Sequence, residues 1–379
     1  MTEIAKYRVL NAPPPIPDAK YYEYEDFAFS YGGIKEFPTQ GVKGMERFLP
    51  LLPVGRIPAL MSRGVGDTPV TRLDKMGEQV GLQNLWVKHE EVNPTGSAKD
   101  RGSAVVIASA LESDIRKVII ISSGNGALST AAFAQKAGIE CDAYIPEKTS
   151  ADKQNLIKLF GAKLVPIPGF YEDVYRSVVD SKPDGWNVTA GQTGIRTEAD
   201  KTIAYELWEQ LGVPDVVVTP SGNGTNLAGI WKGFKDLQTL GLTRRLPQMV
   251  SVQVEGAAPF SKALAKGTDF EILGDIEDSI AEGIVAQESY SSPKAMRALR
   301  ESKGYVVEVT DQEITQAMGN IIRTESIIPE PTSAAVYAAL PKLRETKPDS
   351  LVVAINTGTG MKSLDEIMHM LNIGNKAHA

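Results

Sequence analysis

The sequence has few cysteines and histidines, and this scarcity narrows its chemistry. Its 379 residues include one cysteine, Cys141, and three histidines, His89, His369 and His378. A single cysteine forms no internal disulfide, and no two histidines have the spacing of a metal site. A Ser-His-Asp triad would depend on His89, because the other two histidines lie at the C-terminal end. We therefore predict no metal site and interpret Cys141 as a small buried strand residue.

Long apolar runs and an excess of positive charge are also missing. No apolar run approaches the ~18 residues that a membrane span needs. The net charge of −7 argues against the basic face that nucleic acid requires. The N-terminal residues show no apolar signal-peptide core. We therefore expect a cytoplasmic protein that binds neither membrane nor nucleic acid.

Short apolar runs alternate with helical patterns from Leu85 onward. This alternation predicts an α/β fold in which parallel strands are covered by helices on both faces. A chain of 379 residues exceeds the size at which one core keeps growing, so two domains are expected. The runs predicted as strands are 85–88, 118–121, 143–145, 164–167, 216–218, 249–254 and 351–355. The predicted helices are 103–111, 127–137, 151–160, 171–179, 198–211, 225–238, 311–323, 332–343 and 363–371.

One lysine, Lys99, lies between a turn rich in Pro, Thr, Gly and Ser and the start of a helical run. The dipole at a helix N-terminus disfavours a cation, so this is an unusual place for a solvated lysine. A lysine becomes a nucleophile when burial or a nearby positive field lowers its pKa. Lys99 could therefore form a Schiff base with a carbonyl group.

Three further turns follow predicted strands at the sheet edge where ligands bind in such folds. The first can hold a carboxylate on backbone N–H groups and offers an amide. The second is glycine-rich and suits phosphate, although it has neither the Walker A nor the dinucleotide-binding spacing. The third delivers a hydroxyl. The residues concerned are Ser122, Ser123, Gly124 and Asn125 in the first turn, Gly222, Asn223, Gly224, Thr225 and Asn226 in the second, and Thr357 in the third.

A lysine, a phosphate cradle, an amide and a hydroxyl at one sheet edge are the groups that pyridoxal 5′-phosphate requires. A hydroxyl partner does not keep the ring nitrogen protonated as a carboxylate would. The pattern therefore favours elimination and replacement at the β or γ carbon of an amino acid over transamination.

The order of these motifs resembles that of the threonine synthases, within the fold-type II pyridoxal-phosphate enzymes. The resemblance runs from about Gly44 to Lys362. It implies that Lys99 forms the Schiff base, that Asn125 contacts the cofactor 3′-oxygen, and that Thr357 contacts the ring nitrogen. It also implies that residues 222–226 bind the cofactor phosphate, that the 122–124 backbone binds the substrate carboxylate, and that Arg196 binds a substrate phosphate.

The resemblance implies an architecture as well. We expect an irregular arm at 1–45, a large cofactor-binding domain at 46–102 plus 194–379, and a small mobile domain at 103–193 that closes on substrate. It further implies a homodimer.

Several positions depart from the family pattern, and they leave the substrate open. These departures are Ala98 for Phe, Gly126-Ala127 for Thr-Gly, Ala190-Gly191 for Asn-Ser, and Glu282 in a Glu-Gly-Ile segment. The first hypothesis is conversion of O-phosphohomoserine and water to threonine and phosphate. The second is β-elimination or β-replacement on an O-phosphoserine or serine-type substrate. The third is a non-catalytic relative that binds an amino acid.

Overall fold

Two separate, mainly parallel sheets organise the computed structural model, which describes residues 7–10, 19–21, 23, 26–29, 37 and 43–373. The strands are β1 (Tyr7–Leu10), β2 (Asp26–Phe29), β3 (Val70–Arg72), β4 (Leu85–His89), β5 (Lys117–Ile121), β6 (Glu140–Pro146), β7 (Lys163–Ile167), β8 (Trp186–Asn187), β9 (Val216–Pro220), β10 (Gln248–Val254), β11 (Tyr305–Val309) and β12 (Val352–Asn356). The helices are α1 (Ala59–Ser62), α2 (Asp74–Val80), α3 (Lys99–Glu112), α4 (Asn125–Ala137), α5 (Ala151–Leu159), α6 (Tyr171–Ser181), α7 (Ile195–Leu211), α8 (Thr225–Thr239), α9 (Pro259–Lys266), α10 (Ser292–Glu301), α11 (Asp311–Glu325), α12 (Pro331–Ala339) and α13 (Leu364–Met370).

The larger sheet has six strands in the order β11-β10-β9-β12-β4-β3. All neighbours are parallel except β3, which pairs antiparallel with β4 at the edge. Its central strand β12 pairs Val352 with Leu85 of β4 on one side and with Val216 of β9 on the other. All five residues of β12 are buried, as expected for a parallel strand with helices on both faces.

The smaller sheet has four parallel strands in the order β7-β6-β5-β8. Successive residues of β5 point to opposite faces, because side chains alternate along a strand. Val118 and Ile120 belong to the main hydrophobic core, whereas Ile119 and Ile121 pack in a second cluster that contains Tyr175 of α6. Both faces of this sheet are therefore covered.

The predicted α/β fold with parallel sheets is confirmed, and Cys141 is a buried residue of β6. Helix α3 begins at Lys99 itself, earlier than predicted, because the Asp100 carboxylate holds the preceding turn. It accepts hydrogen bonds from the backbone N–H and hydroxyl of Thr95, each at 2.6 Å, and from the Ser129 hydroxyl at 2.6 Å. The sequence reading assigned no element to the segments that form β3, β8, β11, α1, α2, α9 and α10.

Much of the arm expected at 1–45 lies outside the described residues, although β1 and β2 pair antiparallel within it. The domain boundaries at 46–102, 103–193 and 194–379 stay a prediction. None of the described helices has the length and apolar character to cross a membrane.

Candidate active site

A cavity of about 250 Å³, here called the main cavity, opens where turns from both sheets meet. The structure brings to its walls every residue that the sequence assigned to the site: Lys99, Ser122, Ser123, Gly124, Asn125, Arg196, Gly222, Asn223, Gly224, Thr225, Asn226 and Thr357. These residues come from turns and helix starts up to 258 positions apart in sequence, Lys99 to Thr357, and the fold brings them together. Their individual roles stay predictions.

Lys99 is the first residue of α3, and its Nζ lies 3.5 Å from Oδ1 of Asn226. Burial lowers the pKa of Lys99 below its ordinary value, and the positive charge of Arg196 lowers it further. The carboxylates of Asp200 and Glu330 oppose this shift. The amine is therefore more readily deprotonated than that of a surface lysine, as a nucleophile or base requires.

A fully buried charge network holds the start of α3 behind Lys99. The guanidinium of Arg101 lies 2.7 Å from carboxylate oxygens of both Glu90 and Glu206. Lys88 of β4 donates to the same Glu206 at 2.7 Å. These four side chains are 0% exposed, so each charge depends on its partners rather than on water. The network ties the lysine turn to β4 and α7.

The glycine-rich turn 222–226 brings backbone to the cavity wall at the N-terminus of α8. Gly224 has φ +87°, and a Cβ there would lie 2.7 Å from both Phe260 and Ala295. A Cβ at Gly222 would lie 2.7 Å from the carbonyl oxygen of Gly283. A side chain is thus excluded at Gly224 by both the positive φ and the lack of space, and at Gly222 by the lack of space. A bare backbone beside a helix N-terminus is the arrangement that binds phosphate groups.

Asn125 is held by two charged residues that the sequence reading missed. Its Nδ2 donates to the Glu330 carboxylate, 2.9 Å from each oxygen, and Lys362 donates to its Oδ1. Lys362 also donates to the Gly96 carbonyl at 3.2 Å. The orientation of the amide is therefore set, with its NH₂ toward Glu330. The sequence signal near Glu330 was the proline that follows it, because proline is common at the first position of a helix.

Thr357 follows β12 and is tied to the lysine turn. Its carbonyl accepts from the Ala98 N–H at 2.9 Å, and its hydroxyl lies 2.9 Å from that of Ser333. Ser333 in turn accepts from the Gly358 N–H at 2.7 Å. When Ser333 donates its hydroxyl proton to Thr357, the Thr357 hydroxyl retains its own proton for a group in the cavity.

Arg196 and Asp200 both line the main cavity, one helical turn apart on α7. The Arg196 guanidinium donates to the Val188 carbonyl, to Thr130 Oγ1 at 2.7 Å and to Ser103 Oγ at 3.3 Å. Burial among these neutral partners lowers the pKa of Arg196 to about 10. Burial also raises the pKa of Asp200 to about 7. The sequence reading missed Asp200, because no local signal separates it from an ordinary polar helix residue.

The structure explains why position 191 is a glycine, where the family pattern has serine. Gly191 has φ +94°, and a Cβ there would lie 2.5 Å from Cβ of Tyr290 and 2.7 Å from the Tyr175 hydroxyl. The rings of Tyr175 and Tyr290 stack with centroids 3.6 Å apart. Two tyrosines therefore fill the space beside the backbone at this position.

A second cavity of about 200 Å³ shares wall residues with the main cavity, including Ser123 and Asn125. Lys153 of α5 forms an ion pair with Glu282 at its wall. The pair joins a helix beside the smaller sheet to the segment Glu282–Ile284. His89, the remaining candidate for a triad, instead bonds to Thr71 and Glu91 and does not line the main cavity.

Known proteins match this chain over most of its length. A family model described as pyridoxal-phosphate dependent enzyme matches residues 61–358. Threonine synthase from Methanocaldococcus jannaschii is 36% identical over 329 residues, which cover 85% of this chain and 81% of that protein. Threonine synthase from Methanosarcina acetivorans is 36% identical over 347 residues, covering 89% and 85%. These matches confirm the resemblance drawn from the motifs.

Solved structures share the fold. Maize serine racemase superposes with a TM-score of 0.70 at 22% identity, covering 82% of this chain and 94% of its own. Threonine deaminase isoform 2 from Solanum lycopersicum gives a TM-score of 0.69 at 20% identity, covering 83% and 85%. At these identities the likeness shows the fold, which confirms the predicted fold type.

The residues of the main cavity fit pyridoxal 5′-phosphate. The turn at Gly222 and Gly224 is a cradle that a Cβ would fill, at a helix N-terminus that suits the phosphate group. Lys99 has the lowered pKa of a reactive amine, and the Thr357 hydroxyl can donate when Ser333 donates to it. The donor set thus offers groups for the phosphate, the carbonyl carbon and the ring nitrogen, while the amide of Asn125 lines the same cavity in contact with Glu330 and Lys362.

Proposed function

The chain belongs to the pyridoxal-phosphate-dependent enzyme family, and on that premise we propose that it converts O-phosphohomoserine and water to threonine and phosphate. The observation that carries this proposal is the meeting of Lys99, the 222–226 turn, Thr357 and Arg196 in one cavity. The 36% identity to threonine synthases over most of the chain supports the same reaction. Membership of an enzyme family weighs against a non-catalytic amino-acid-binding relative.

When bound, pyridoxal 5′-phosphate supplies an electron sink that acidifies the Cα–H bond of an amino acid. The chain's own residues would then do the rest. Lys99, with its lowered pKa, accepts the proton from Cα and later moves a proton at Cβ. The backbone of Ser122, Ser123 and Gly124 binds the substrate carboxylate, and Arg196 binds the phosphate with its planar fork.

The direct test is phosphate release from O-phosphohomoserine by the purified, cofactor-loaded protein, with threonine identified as the product. We expect release by the wild type and none by Lys99→Ala. The Lys99→Ala protein should also lose the visible absorbance that a lysine-bound cofactor gives. A variant that kept that band would refute the lysine assignment, and threonine formation without Lys99 would refute its role in proton transfer.

A second candidate, β-elimination or β-replacement on O-phosphoserine, is favoured by the surroundings of Gly191. The stacked Tyr290 and Tyr175 leave no room at Gly191 for the serine that the family pattern has at this position. A substrate one methylene shorter would hold its phosphate nearer Lys99. Separate incubations with the two phosphorylated amino acids, each assayed for phosphate, distinguish the reactions. Release from O-phosphoserine alone would exclude the threonine-synthase reaction.

We also propose that segment 103–193 moves as a small domain, closing the main cavity on substrate and excluding water. The Lys153–Glu282 pair supports this proposal, because it already links α5 to the loop on the other side of the opening. Small-angle scattering with and without a bound amino acid would show compaction. A homodimer in the cytoplasm is likewise our proposal, and light scattering coupled to gel filtration tests the dimer.

A further inference from the structure

Asp200 is a buried carboxyl without a partner inside the main cavity. Its side chain lies on the cavity wall, and the residue is 4% exposed. No group in the described part of the chain donates a hydrogen bond to it, and its neighbours act on it only through their charges. The carboxyl therefore faces the cavity rather than another group of the protein, and its small accessible surface lies there. A group that binds in the cavity would supply the missing partner.

The charges that face Asp200 come from three elements. Lys99 and Arg101 lie on α3, Glu90 lies in the segment before it, and Arg196 lies on α7. Arg101 and Glu90 pair with each other, so their effects on Asp200 oppose one another. Lys99 is the residue expected to hold the cofactor. Arg196 is therefore the cation left to share a ligand with Asp200.

The third side of Asp200 carries no charge. Gly229 of α8 packs against it so closely that a Cβ at Gly229 would lie 2.6 Å from Cβ of Asp200. The carboxyl thus has little freedom to turn away from the cavity. An ionised carboxylate in this place would repel a dianion, whereas a carboxylic acid can donate a hydrogen bond to it.

We propose that Asp200 is a specificity-determining residue of a leaving-group subsite formed with Arg196, where its protonated carboxyl donates a hydrogen bond to an oxyanion that Arg196 also binds. The inference rests on the proposed function in one respect, that the distal group of the substrate is a phosphate. It accounts for the presence of a carboxyl one turn from Arg196. It also makes the binding of a tetrahedral dianion depend on one proton.

Sulfate binding to the cofactor-loaded protein tests the proposal without any substrate. Sulfate stays a dianion between pH 6 and pH 8, so any proton that the complex takes up from the buffer binds to the protein and not to sulfate. Because the pKa of Asp200 is about 7, the Kd for sulfate should rise about tenfold from pH 6 to pH 8. Calorimetry at pH 8 in buffers of different ionisation enthalpy should show uptake of about one proton.

Two variants test whether the pH dependence of sulfate binding comes from Asp200. Asp200→Asn has the same size and keeps a donor, so sulfate should bind with a Kd that no longer changes between pH 6 and pH 8. Glu282→Gln removes an exposed carboxylate from the wall of the same cavity and should keep the tenfold change. An unchanged pH slope in Asp200→Asn, a flat profile in the wild type, or absence of sulfate binding at pH 6 would each overturn the proposal.

The sulfate experiment and the phosphate-release experiment test the subsite and the reaction independently. If O-phosphohomoserine releases no phosphate while the sulfate profiles are as expected, the reaction is wrong and the subsite stands. If phosphate is released but Asp200→Asn keeps the wild-type pH slope, the subsite is wrong and the reaction stands.

Discussion

Replacement of Arg101 by glutamine should destabilise the protein by about 3–5 kcal/mol, the cost of leaving a buried charge without its partner. The Arg101 side chain donates six hydrogen bonds, two to Glu90, two to Glu206, and one each to Thr202 and Thr68. The two carboxylates have no access to water that could replace it. Lys88 forms an ion pair with Glu206 only. Glu90 would therefore keep its hydrogen bonds from Thr68 and Asn93 but lose its ion pair.

Urea unfolding followed by far-ultraviolet circular dichroism measures this loss, with both proteins in the same cofactor state. The matched control is Arg116→Gln, which removes the same kind of side chain from an ion pair with Asp114. That pair is exposed, at 76% and 88% of the two side chains, so its loss should cost at most ~1 kcal/mol. A loss below about 1 kcal/mol for Arg101→Gln would refute the idea that this network holds the lysine turn.

The pH dependence of the same variant gives a second check. Burial alone would raise the pKa of Glu206, but Arg101 and Lys88 lower it far below its ordinary value. A carboxylate with a lowered folded-state pKa stabilises the fold above its unfolded pKa of about 4.3, and this stabilisation is lost as pH falls. The difference between wild type and Arg101→Gln should therefore be largest near pH 7 and shrink below about pH 4.

Three further outcomes are expected. Gly191→Ala should lower the free energy of unfolding by about 1–3 kcal/mol more than Gly212→Ala does, as measured by urea unfolding. Both glycines have positive φ, but only Gly191 has a side chain within 3 Å of the added Cβ. Gly224→Ala should weaken cofactor affinity at least tenfold in an absorbance titration, with Gly212→Ala as the control, because its Cβ would displace the turn by contact with Phe260. The Cys141 thiol should react with a disulfide reagent at pH 8 at least 100-fold more slowly in the native protein than in urea, since burial raises its pKa to about 12.

Local patterns were enough to predict the elements that end at the cavity. The turn before Lys99 and the glycines at 222 and 224 are signals within a few residues, because a tight turn or a close backbone approach limits which residues fit. The strands that precede them are short apolar runs, which burial on both faces of a parallel sheet demands. For the same reason the family resemblance could be drawn from motifs alone.

The segments without such signals were missed. Strand β11 has the burial pattern of a half-exposed edge, with Glu308 exposed between buried valines, and it carries no glycine-rich turn after it. Helices α9 and α10 are short and lie in a stretch without clear strand boundaries. Their assignment depends on what they pack against, which neighbouring residues in the sequence do not reveal.

The sequence by itself determined the fold class and the cofactor, because turn chemistry and hydrophobic alternation are encoded locally, and it led to the prediction that Lys99 is the cofactor lysine. Only the tertiary structure decided which distant side chains share the cavity with Lys99. Glu330 reaches Asn125 across 205 positions, and Asp200 reaches the cavity because α7 packs between α3 and α8. Burial and charge at those contacts depend on the completed packing, so the buried carboxyl of Asp200 on the cavity wall could be found only in the structure.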